Sequence, residues 1–277
     1  MLSIQHVMSA VLATGNDRAW LDGHMAAVVF PDAVRAYSGP RPYSHFERSA
    51  DGSDVSWWKM PSDMSKVDMA SVEESLTESH LVQNPPCVLG ETTDLDAFRA
   101  HNGHLPQAMR DGVELHLRQD MAFDVLVRER IDCSRMYEDR FSFEGSEYDG
   151  KGIRAVIADM EQQGIYVAAK RIYEEHGVVC DSKWIDERVR PVLERDYPEE
   201  LARKTLSFMR IRPDIDALIS ARDFSHVDDG PLPSSAFDAV YGEVNRSYEQ
   251  EMARRMSRVA GMVPQGSSPS AEDDFSL

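Results

Sequence analysis

An all-α fold, a multi-helix bundle, is what this sequence predicts, and three observations carry that expectation. Apolar residues recur at spacings of three and four along most of the chain, as helices with one buried face require. Gly and Pro punctuate these stretches where helices stop. Convincing runs of alternating apolar and polar residues, the mark of half-buried strands, are absent.

The elements follow in order. Ile4, Val7, Met8, Val11 and Leu12 place a first helix over residues 3–13 with His6 beside its apolar stripe, and Gly15-Asn16-Asp17 closes it. A second helix runs over 18–29; Pro31 lacks the N–H that would continue it and leaves Asp32 just beyond, on irregular backbone. The Pro/Gly-rich loop 37–43 leads to His45, again on irregular backbone, where functional side chains concentrate. Residues 63–80 have helical periodicity and end before Asn84-Pro85-Pro86. A short helix over 94–100 and the turn His101-Asn102-Gly103-His104 precede a long helix opening at Pro106. Residues 132–149 read as a charged, aromatic loop. Helices are expected over 152–176 with Gly177 as a stop, then 182–195, 198–209, 214–221 and 234–262. Residues 1–263 form one helical domain, and 264–277 have the composition of a disordered acidic tail, with Phe275 and Leu277 available to a protein partner.

The chain has 277 residues, enough for a substantial core. Its formal charge of −18 opposes binding to nucleic-acid duplexes and anionic lipid. A small phosphorylated substrate stays compatible with that charge, because a bound dication dominates the local potential. Cys87, Cys133 and Cys180 are odd in number and widely spaced, which points to a reducing, cytoplasmic setting. No signal peptide and no membrane span is read. Phosphate-binding glycine loops and the serine-hydrolase elbow have no match.

The helix after Pro106 holds the chemistry. His116, Asp120 and Asp124 recur every four residues and so form one polar stripe. A His and a carboxylate one turn apart can grip a cation, the imidazole suiting zinc. A solvated ion-pair stripe has the same spacing.

The ordered set His6, Pro31-Asp32, His45-Phe46 and Gly112-x3-His116-x3-Asp120 resembles the zinc-dependent phospholipase C family over residues 1–130. The resemblance implies a helical fold of the phospholipase C/P1 nuclease type that hydrolyses phosphate esters. It implies that Asp32, His45, His116 and Asp120 bind one zinc ion, with Asp120 bridging to a second ion held by His6. Asp124 stands where that family often has a His, and a carboxylate there favours magnesium or manganese at a second site. Asp32 or Asp124, whichever is less committed to metal, is the expected general base. The competing expectation is a helical interaction protein with a structural or vestigial metal site.

Overall fold

The computed structural model describes residues 2–37, 45–46, 59–68, 93–131, 140–149 and 152–262. They are mostly helical: α1 (Ser3–Ala13), α2 (Arg18–Tyr37), α3 (Leu95–His101), α4 (Gln107–Arg130), α5 (Ile153–His176), α6 (Ser182–Trp184), α7 (Arg190–Asp196), α8 (Glu199–Phe208), α9 (Pro213–Ala221) and α10 (Ser234–Met262). Among the described residues no helix is long and apolar enough to cross a membrane.

The most extensive helix–helix contact is between α2 and α4, and α1 packs across α2, α5 and α10. Gly112 lets α4 approach α2: a Cβ there would stand 2.6 Å from Ala27 Cβ and 2.9 Å from both His24 O and Val28 N. On α1, every residue from Ser3 to Leu12 is buried. His6 is therefore inside a fully enclosed helix, not at the margin of a half-buried one.

The expected end of the second helix is corrected. Helix α2 continues through Pro31 to Tyr37, so Asp32 is helical. An interior Pro costs a helix about 3 kcal/mol, but Phe30, Ala33 and Val34 on either side are wholly buried, and packing outweighs that cost. Pro31 cannot donate to Ala27 O, and the carbonyls beside it take side-chain donors: Tyr197 Oη to Ala26 O at 2.5 Å, and His116 Nδ1 to Val28 O at 2.7 Å. His45 is likewise helical, and Phe46 follows with φ +55°. That left-handed conformation is costly for a bulky residue. Phe46 is held in it by complete burial, an edge contact with Phe98 and a bond from Asp94 N–H to its carbonyl.

Three further expectations change. Residues 140–149 form an antiparallel hairpin, β1 (Arg140–Phe143) and β2 (Ser146–Asp149), where a loop was expected. Its two-residue turn places Glu144 at φ +48° and Gly145 at φ +82°, the geometry that matches strand twist. The expected helix from residue 63 is at first only a 3-10 turn, Met64–Lys66, after which Val67 is extended. Between α6 and α7 the helix widens into a π turn, Ile185–Val189, where Arg190 N–H reaches Ile185 O just before Pro191, which has no N–H to give. The loop 38–44, Trp57, Trp58, His80, residues 69–92 and the tail 263–277 lie outside the described residues.

Candidate metal centre

Three helices and one helical turn deliver five side chains to one buried point: His6 from α1, Asp32 from α2, His45, and His116 with Asp120 from α4. Their exposures are 0%, 7%, 1%, 0% and 1%. The stripe on α4 is thus internal, and the solvated ion-pair alternative does not hold.

The separations have a common scale. His45 Nε2 and His116 Nε2 are 3.1 Å apart. Asp32 Oδ1 is 3.4 Å and Asp120 Oδ2 3.5 Å from His45 Nε2, and Asp120 Oδ2 is 3.6 Å from His116 Nε2. Asp120 Oδ1 is 3.2 Å and Asp32 Oδ2 3.8 Å from His6 Nε2. Ligand atoms about 2.0–2.2 Å from one tetrahedral ion stand about 3.3–3.6 Å from each other. Most of these distances fall on or near that scale, and the 3.1 Å contact of His45 with His116 is also within hydrogen-bond reach.

The tautomers agree. His116 Nδ1 lies 2.7 Å from Val28 O and must donate to it, which leaves the Nε2 lone pair facing the cluster. His6 Nδ1 lies 2.7 Å from Gln119 Oε1, while Gln119 Nε2 donates to His6 O at 3.2 Å. Reversing the Gln119 amide would set oxygen against oxygen, so His6 Nδ1 carries the proton and Nε2 a lone pair. That Nε2 is buried and accepts no hydrogen bond, although Asp120 Oδ1 is close; the contact lacks hydrogen-bond direction. An orphaned imidazole lone pair among carboxylates fits a cation in a way it fits no neutral neighbour. The His6 and His116 rings stack at 3.8 Å, and the His45 ring meets His116 edge-on at 5.0 Å.

Electrostatics keep the donor atoms in their ligand forms. Burial alone would raise the Asp32 carboxyl, but its bond with His45 and the nearby imidazoles of His116 and His6 outweigh it and hold the group far below the carboxylate range. Burial, reinforced by the neighbouring His6, holds His116 well below the ordinary imidazole value of 6.5. Ser3 Oγ also donates to Asp32 Oδ2 at 2.9 Å.

All five expected ligands converge, in two triads that share His116: His6, His116 and Asp120, and Asp32, His45 and His116. Asp124 is buried one turn farther along α4, at 6% exposure, and belongs to neither triad. The other described histidines lie elsewhere. His24 stacks on Trp20 and bonds its carbonyl, His104 bonds Met60 O, and His226 pairs with Asp229 on the surface. Sequence reasoning passed over Ser3 and Gln119. Their positions carried a signal, since Ser3 precedes His6 by one turn and Gln119 lies between His116 and Asp120.

A cavity of about 360 Å³ lies between Tyr148, Tyr166 and Gly230, and a groove of about 650 Å³ runs past Leu2, Ile185 and Met209; no residue of the cluster lines either. The cluster's chemistry and burial, not the size of a hollow, make it the candidate site. Comparisons of the chain with family models, curated proteins and solved structures return no match.

Proposed function

We propose that this chain is a metal-dependent phosphoester hydrolase whose metal centre is built by His6, Asp32, His45, His116 and Asp120. The observation that carries the proposal is the orphaned Nε2 of His6 facing the Asp32 and Asp120 carboxylates, with His116 in the same group of potential ligands. Imidazole and carboxylate together suit zinc, and a purely oxygen-rich partner site would admit magnesium or manganese. Ions held there supply Lewis acidity toward a phosphoryl oxygen and acidify water. Both oxygens of Asp32 face imidazoles, so Asp32 is committed to binding. That leaves Asp124, on the same helix face and outside both triads, as the general base.

The substrate class is a soluble phosphate ester, a nucleotide or a phospholipid head group. The net charge of −18 supports a small ligand drawn by metal charge over a nucleic-acid duplex. Metal analysis and hydrolysis of phosphomonoester and phosphodiester test compounds by wild type, His116→Ala and Asp32→Ala decide the matter. Metal-dependent turnover lost in both variants is expected; turnover indifferent to both sinks the proposal.

The near-complete burial of the cluster favours a second reading, a helical interaction protein with a closed structural metal. A structural site has four protein ligands, and a catalytic one keeps a position for water. Cobalt substitution separates the two: a visible spectrum that responds to added phosphate marks an open position, and an unresponsive one a closed site.

A further inference from the structure

We propose that the cavity of about 360 Å³ between the hairpin, α5, α9 and the turn that follows α9 binds a small organic amine or guanidine, a cationic head on an apolar body. The site is separate from the buried His/Asp cluster, none of whose residues lines it.

Four stretches distant in sequence build the hollow, and its volume lies within the range of small-molecule sites, about 300–1,000 Å³. Its floor is fixed. Gln163, 4% exposed, gives its whole amide to the turn: Nε2 donates to Val227 O at 3.1 Å and to Leu232 O, and Oε1 accepts the Leu232 N–H at 3.0 Å. The turn lies so close that a Cβ on Gly230 would stand 2.3 Å from Gln163 Cδ. Tyr166 is anchored too, its hydroxyl donating to Asp223 O. On the hairpin side Tyr148 hydrogen-bonds Asp159, which ties β2 to α5. The walls are therefore preformed, as a ligand site requires.

Their chemistry selects the occupant. Tyr148, Tyr166, Ile215 and Leu218 give the hollow an aromatic and apolar part. The charged part sets the carboxylates of Glu144, Asp159, Asp214 and Asp229 against two bases, Arg212 and His226. Both bases already have acid partners. Arg212 Nη1 is 3.1 Å from Asp159 Oδ1 and its Nε 2.7 Å from Asp214 Oδ1, while His226 Nδ1 is 2.7 Å from Asp229 Oδ2. Two carboxylates thus share one guanidinium, and Glu144 adds a further negative charge from the hairpin turn, so the excess is negative even with His226 protonated. An anion would be repelled by that excess. An ammonium or guanidinium is attracted both by the carboxylates and by tyrosine rings, and its hydrocarbon part covers Ile215 and Leu218.

The experiment is calorimetric titration of the full chain with 2-phenylethylamine, 2-phenylethanol and phenylacetate, three bodies of similar size that are positive, neutral and negative. The amine is expected to bind once per chain, at least tenfold more tightly than either analogue, and more weakly as salt is raised. Asp159→Asn should weaken it about tenfold and Glu144→Gln, on an exposed turn, about threefold. Ser146→Trp, which fills the hollow from an exposed strand position, should abolish binding while thermal melting confirms the fold. Wild type that binds none of the three compounds overturns the site. Equal binding of the alcohol overturns the cationic class, and amine binding unchanged in folded Ser146→Trp overturns the location. None of these readouts needs metal in the cluster, so the result is independent of the hydrolase reading.

Discussion

His116 Nδ1 and the carbonyl of Val28 are 2.7 Å apart, a bond that joins α4 to α2 across 88 residues of sequence. It ties the ligand geometry to helix packing. The carbonyl belongs to the segment that Pro31 disturbs, and Gly112, one turn before His116, sets how closely the two backbones approach. Moving α2 against α4 therefore moves the imidazole.

Gly112→Ala tests this link. The added methyl overlaps Ala27 Cβ, His24 O and Val28 N, two of which are backbone and cannot rotate aside. Overpacking of this kind costs about 1–3 kcal/mol, a fall of roughly 2–10 °C in melting temperature for a chain of this size. Metal affinity should fall with it, and calorimetric titration beside a thermal melt checks both. A variant that melts and binds like wild type would show that the helices are not in contact here.

Metal-free protein should lose stability on mild acidification. His116 is held well below 6.5, first of all by burial. The unfolded chain takes up that proton below pH about 6.5 while the folded chain does not, so stability falls as pH drops from about 6.5 toward the folded value. Asp32 acts at lower pH. Its folded value is depressed from 3.8, so its contribution is present above 3.8 and is lost as pH falls through the folded value. Melts of the metal-free protein from pH 8 to pH 4 should be flat above pH 7 and decline below 6.5. A curve flat to pH 5 would contradict a buried neutral His116.

Chelation at pH 7 should reproduce part of that loss in the loaded protein. An ion that binds only the folded chain at a hundred times its Kd adds about 2.7 kcal/mol. Removing it should lower the melting temperature by on the order of 5–10 °C. His116→Ala, which breaks both triads, should abolish the difference between chelated and loaded samples. Equal melting with and without confirmed metal would leave the cluster without a role in holding the fold.

Asp124→Asn separates binding from proton transfer. Asp124 shares the α4 face yet joins neither triad, so the substitution should leave metal content unchanged. Loss of a general base costs about 10²–10⁴ in rate. Turnover measured at fixed metal loading is the readout, and full activity with full metal would remove Asp124 from the chemistry.

The sequence made the helical character legible because the period of three and four persists across α1, α4, α5 and α10, where caps such as Gly177 in its left-handed conformation mark the ends. It also marked the five side chains that converge. Local rules misplaced Asp32, since Pro31 would end an isolated helix and only the buried faces of Phe30, Ala33 and Val34 carry α2 onward. The hairpin was hidden because Glu144-Gly145 is a weaker turn signal than Asn-Gly and its strands have four residues each. Gln119 sits beside the stripe in sequence, but nothing local shows what its amide bonds. Its partner, His6, is 113 residues away, and that distance closes only in three dimensions.

The helix that carries His6 is secured from behind by late parts of the chain. Gln5 Nε2 donates to Tyr241 Oη at 3.1 Å, and Tyr241 Oη in turn donates to Gly164 O at 2.7 Å, so α1 is clasped by α5 and α10. Every ligand is synthesised by residue 120, but the clasp waits for residue 241. During translation, a nascent chain released as far as α4 holds all the donor atoms and lacks the vice that sets one of them. The placement of the His6 side chain is thereby tied to the arrival of the last helix.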